Sequence, residues 1–129
     1  MLEDLLRDII KEENVLMSVN TGAAIIEMHT SKDLPFRVRE NWITIGDDQG
    51  PCHMHINKNK VNEIRFVKEY KQTRTSYSVR LLNAKGERLI AAFFTKMQDD
   101  NGRPIKERVE RYERIFRKYG SREIIELQK

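Results

Sequence analysis

Ser76-Tyr77-Ser78-Val79-Arg80-Leu81-Leu82-Asn83-Ala84-Lys85-Gly86-Glu87-Arg88-Leu89-Ile90-Ala91-Ala92-Phe93-Phe94 places two β-rich runs on either side of a short polar break. Asn83 opens that break and Gly86 closes it, and a glycine there reaches positive φ without steric cost, so the segment reads as a hairpin. A third β-rich run, Asn62–Glu69, precedes it across a polar linker at 70–75. Together the three runs predict an antiparallel meander.

Helical periodicity replaces the alternation downstream of the turn Asp99-Asp100-Asn101-Gly102. Over residues 104–118, Ile105, Val109, Tyr112 and Phe116 fall on one stripe, and Gly120 stands where a C-cap belongs. Glu107 with Arg111, Glu110 with Arg114 and Glu113 with Arg117 are i,i+4 pairs in the favourable order. The bases of this helix are matched by acids, and no stacking-aromatic motif accompanies them, so it is read as a solvated face and not as a nucleic-acid stripe. At the other end, Leu2, Leu5, Leu6, Ile9 and Ile10 recur at helical spacing, so residues 2–13 read as an amphipathic helix. Val15 to His29 reads as two strands around a turn at Gly22, or one strand with a bulge. Phe36 to Ile45 is a strand region, and residues 46–51 form a turn. The fold class is therefore α+β: an antiparallel meander flanked by N- and C-terminal helices.

The chain has 129 residues, enough for one compact core and too few for two ordinary domains, so residues 1–129 are expected to form a single domain. Apolar residues make up 39% and charged residues 34%. No apolar run approaches the roughly 20 residues that span a bilayer, and acids at Glu3 and Asp4 stand where a secretory signal carries bases. The single Cys52 permits no intramolecular disulfide. These features point to a cytoplasmic protein without membrane insertion. A net charge of +4 favours an anionic partner without selecting one. No nucleophile elbow, P-loop or dinucleotide fingerprint is present.

Cys52-His53-Met54-His55-Ile56 follows the 46–51 turn and contains two of the chain's three histidines. Alternate strand residues share a face, so both imidazoles point the same way while Cys52 points the other. Imidazole is a common ligand of transition metals and haem iron. A structural zinc site would take four ligands of a kind the chain scarcely offers. A loosely held metal completed by Asp47 or Asp48 remains open, as do plain strand histidines without a ligand. His29 joins the same site only if its strand lies beside the histidine strand.

The run His53-Met54-His55-Ile56, then Val61 to Val67, Ser76-Tyr77-Ser78-Val79, Asn83-Ala84-Lys85-Gly86 and Leu89-Ile90-Ala91-Ala92-Phe93-Phe94, resembles the haem-utilisation proteins of the HutX, ChuX and HemS type. The resemblance spans about residues 15–118, and Asn20-Thr21-Gly22, Ile25, Ile26, Trp42 and Asp47 also look like the upstream part of the repeat found twice in HemS-type members. It implies an intracellular protein that binds haem or a related tetrapyrrole and carries or stores it. In some members it implies haem breakdown, so an enzymatic role stays open behind the binding role. A domain of the same fold that has lost ligation and acts through a protein partner is a further alternative. Single-repeat members resemble a half-length unit that pairs as a homodimer.

Carried onto this chain, the resemblance makes His55 the axial ligand of haem iron, and His53 a neighbouring ligand or support. Where the family often ends the last strand with Gly-Arg, this chain reads Thr95-Lys96, which keeps a cation for a propionate at Lys96. Where ChuX-type members place a haem-associated histidine on an early strand, it reads Asn20. Arg37 and Arg39 alternate onto one strand face and are further candidates for the propionates. Arg65 and Arg80 fit that role or a cross-strand ion pair with Glu63 or Glu69.

Overall fold

The computed structural model describes residues 1–127. The elements are α1 (Leu2–Ile10), β1 (Val15–Asn20), β2 (Ile25–His29), β3 (Phe36–Arg39), β4 (Trp42–Gly46), β5 (His53–Asn57), a 3₁₀ turn (Lys58–Lys60), β6 (Glu63–Lys71), β7 (Arg74–Leu82), β8 (Arg88–Phe94), α2 (Lys106–Lys118) and β9 (Ile124–Glu126). The strands divide into a six-stranded sheet, ordered β2-β1-β8-β7-β6-β9, and a three-stranded sheet, ordered β3-β4-β5. All the pairings are antiparallel. The meander expected from 62 to 95 is β6-β7-β8, with the hairpin at Asn83–Gly86, where Gly86 has φ +80°.

Several boundaries differ from the sequence reading. The supposed linker at 70–75 is strand almost throughout, because Gln72 adopts the left-handed conformation at φ 51° and lets Lys71 pair with Arg74. Residues 15–29 are two strands, reversed at Thr21–Ala24 with Gly22 at φ 90°. The strand region 36–45 is itself a hairpin, turned at Glu40 with φ 55°. β9, absent from the sequence reading, adds to the free edge of β6 after α2.

Alternation assigns the faces of the large sheet. Val15 and Met17, Ile64 and Phe66, Tyr77, Val79 and Leu81, and Ile90, Ala92 and Phe94 share the side that joins the buried cluster of both helices. Every apolar residue of α1 is buried there. Tyr112 of α2 meets Phe66, Tyr77 and Phe94 edge-on with centroids 5.1 to 5.9 Å apart, and its hydroxyl donates to the Ser78 carbonyl at 2.9 Å. Burial holds the Tyr112 phenol well above its ordinary pKa. The small sheet joins the same cluster through Ile43, Ile45 and Ile56, and the Arg7 guanidinium of α1 lies 4.7 Å from the Phe36 ring centre.

The opposite face of the large sheet carries Leu16, Val67, Leu82, Ala91 and Phe93, none of which belongs to that cluster. Arg80 pairs there with Glu69 across β7 and β6, the cross-strand ion pair expected, whereas Arg65 pairs with Glu63 two residues back on its own strand at 2.5 Å. The charges of α2 find partners other than the expected i,i+4 neighbours, two of them outside the helix and one seven residues along it. Glu113 meets Lys68, Glu110 meets Arg117, and Arg111 lies 3.6 Å from Glu13.

A candidate ligand face on the small sheet

The register of β3-β4-β5 decides which side chains meet. Arg37 faces Thr44 and Thr44 faces His55, while Arg39 faces Trp42 and Gly46 faces His53. Alternation then places Arg37, Arg39, Trp42, Thr44, His53 and His55 on one face of this sheet. Phe36, Ile43, Ile45, Met54 and Ile56 occupy the other, packed into or against the core. The sheet thus holds one apolar side by burial and presents one polar side to solvent.

Gly46 makes the approach of β5 possible. Its φ is +105°, and a Cβ there would lie 2.8 Å from the Cys52 carbonyl oxygen and 2.9 Å from the His53 Cα. Both are backbone atoms with no room to yield, so only glycine lets the chain re-enter the sheet with His53 opposite it. The turn between the strands is fixed by Asp47, whose carboxylate accepts from the Gln49 amide at 2.9 Å while its carbonyl accepts from the Gly50 amide at 2.9 Å. Asp47 is thereby engaged, and it is Asp48 that turns toward the histidines.

Thr44 Oγ1 lies 2.8 Å from Nδ1 of His55. With Nδ1–H donating to that hydroxyl, Nε2 keeps its lone pair, the tautomer a metal-ligating imidazole requires. The His55 side chain is 45% exposed, so Nε2 is reachable by a ligand from solvent. His53 stands beside it, the two rings meeting edge-on at 5.0 Å. Asp48 is bonded to Arg37, and Nε2 of each histidine lies 3.9 Å from Asp48 Oδ1. The hydrogen bond from Arg37, with further attraction from its charge and the two imidazoles, holds the Asp48 carboxyl below the usual carboxylate range. Trp42, on the same face, is 47% exposed.

Four of the five residues expected at the site, His55, His53, Arg37 and Arg39, therefore share one sheet face. Lys96 does not: it follows β8 of the large sheet, in the left-handed region at φ 57°, with its carbonyl accepting from Arg108. His29 is likewise elsewhere, because β2 is an edge of the large sheet and β5 belongs to the small one. The imidazoles stand on an open face and not in an apolar hollow. The cleft of about 370 Å³ between β6 and α2, lined by Phe66, Lys68, Tyr112 and Phe116 among others, is lined by neither histidine. Thr44 is the site residue sequence reasoning did not assign, and the bond between Asp48 and Arg37 joins two residues it had named separately. Only the cross-strand register brings them to the histidines.

A protein-family model matches residues 3–120 of the chain. Among solved structures, the heme-binding protein ChuX superposes with a TM-score of 0.73 at 15% identity, covering 91% of this chain and 71% of that one. Holo-PhuS, a heme-binding protein from Pseudomonas aeruginosa, superposes with a TM-score of 0.66 at 16% identity over 87% of this chain and 31% of that one. A protein from Agrobacterium tumefaciens reaches a TM-score of 0.65 at 26% identity, over 88% of this chain and 62% of that one. No curated protein matches the chain in sequence.

Proposed function

The chain belongs to the haem-utilisation family of the HutX/ChuX type, and from that membership we propose that it binds haem or a related tetrapyrrole as a cytoplasmic carrier or store, with His55 as axial ligand. The observation that carries the reading is the His55 imidazole itself. It is hydrogen-bonded through Nδ1 to Thr44 and open to solvent at Nε2. Such a nitrogen is a competent donor to ferric iron. Trp42 supplies a flat apolar surface on the same face, and Arg37 and Arg39 supply guanidinium groups suited to propionate carboxylates. His53 is the neighbouring donor. When bound, haem supplies the iron and the macrocycle; the protein's part is to position the donor and to match the charge of the propionates. Among the described residues no helix is long and apolar enough to cross a membrane.

The protein acts as a homodimer in this reading, with the uncovered face of the large sheet as the contact. Leu16, Val67 and Phe93 are half-buried there and lie outside the core cluster. Titrating the purified protein with hemin tests the ligand directly. A saturable Soret shift is expected in the wild type and its loss in His55→Ala; a wild-type spectrum equal to that of free hemin overturns the reading.

A further inference from the structure

Asp48, His53 and His55 each offer a ligand atom within 4.8 Å of the other two. The haem reading requires the imidazoles but has no use for Asp48, whose Oδ1 nevertheless faces both Nε2 atoms at 3.9 Å. We propose that these three side chains form a site for a divalent transition metal ion of the zinc, cobalt or nickel type. Two imidazoles and one carboxylate would bind it, with the remaining coordination positions open to solvent.

The donor set selects the ion class. Calcium and magnesium favour sites made of oxygen, whereas imidazole nitrogen with one carboxylate suits borderline ions of the later first row. Ligand bonds of about 2.0–2.2 Å bring neighbouring donors to roughly 3–3.5 Å from one another. The two Asp48–histidine separations of 3.9 Å therefore close by about 0.4–0.9 Å, and donors up to 4.8 Å apart by about 1.3–1.8 Å, through side-chain rotation on an exposed face. Three protein ligands with open positions is the arrangement of a site that exchanges its ion or presents it to a further ligand, in contrast to a closed structural site.

The surrounding residues already orient the three donors. Thr44 holds Nδ1 of His55, which directs Nε2 toward the centre. Arg37 engages Oδ2 of Asp48 and leaves Oδ1 for the ion. The hydrogen-bonded turn at Asp47 to Gly50 fixes where Asp48 emerges. Such outer contacts are worth about 10–100-fold in metal affinity at well-characterised sites.

The test is calorimetric titration of the full chain with Zn²⁺ in the absence of hemin, repeated with Co²⁺ to follow its visible absorption. One ion per chain is expected, with a Co²⁺ spectrum showing nitrogen and oxygen ligation. His53→Ala, His55→Ala and Asp48→Asn should each weaken binding at least about tenfold, and Thr44→Val about tenfold, with unchanged far-ultraviolet circular dichroism. Absence of saturable one-to-one binding overturns the proposal, as does wild-type affinity in any of the three ligand variants. Hemin titration of the wild type without added metal reads the haem proposal alone, and Zn²⁺ titration without hemin reads the metal proposal alone, so failure of the metal site and failure of the haem reading register separately.

Discussion

At the scale of the residue, the ligand face rests on Gly46 and Thr44 as much as on the histidines. Gly46 is held at a φ that L side chains rarely adopt, and a methyl group added there meets the backbone of Cys52 and His53. Gly46→Ala should therefore lower stability by about 1–3 kcal/mol in urea unfolding and weaken hemin binding, because β5 must move away from β4. A variant within about 0.5 kcal/mol of wild type would show that the two strands separate at no cost. The spacing of His53 and His55 was legible in the sequence because a strand alternates every residue. The contact of His55 with Thr44 was not, since the turn between Gly46 and His53 admits more than one register.

At the scale of the element, the two helices are joined by polar contacts that periodicity does not reveal. Asp8 of α1 accepts from Lys118 at 2.8 Å and from the Tyr119 hydroxyl at 2.5 Å. Burial pushes the Asp8 carboxyl up, but the hydrogen bonds from Lys118 and Tyr119 outweigh it and hold the group below its ordinary value of 3.8. A carboxyl depressed by folding stabilises the native state above its unfolded pKa, and that contribution vanishes as pH falls through the folded value. Asp8→Asn should thus cost about 1 kcal/mol at neutral pH. The gap from wild type should shrink as pH drops below about 4. Urea unfolding at several pH values measures both, and a gap independent of pH would exclude this linkage. Of the stripe expected on α2, Tyr112 is buried and Val109 and Phe116 pack half-buried against the core, while Ile115, which the stripe did not include, is the second fully buried residue. The i,i+4 spacing misplaced the ion pairs, because Lys68 and Glu13 lie nearer to the acids and bases of α2 than the paired residues one turn along.

At the scale of the whole molecule, both helices cover one face of the large sheet and leave the other without a layer among the described residues. Two-layer packing buries a sheet on one side only. The remaining side carries the half-buried Leu16, Val67 and Phe93 beside the buried small residues Ser18, Ser78 and Ala91 and the Arg80–Glu69 ion pair. Sedimentation equilibrium should give twice the chain mass for the wild type. Phe93→Asp should convert it to monomer while leaving the fold intact, because its side chain lies outside the core cluster. A monomeric wild type at micromolar concentration would remove the dimer from the proposed function.

The sequence by itself determined the antiparallel meander, the two amphipathic helices and the shared face of His53 and His55, because each depends on a period of two or 3.6 residues and on local turn chemistry. Only the tertiary structure decided that the strands form two sheets, that Asp48 and Thr44 meet the histidines, and that Lys96 and His29 do not. Those outcomes depend on which strand lies beside which and in what register. Strand neighbours are set by the burial of Ile43, Ile45 and Ile56 against α1 and the large sheet, a condition that no local stretch of the chain contains.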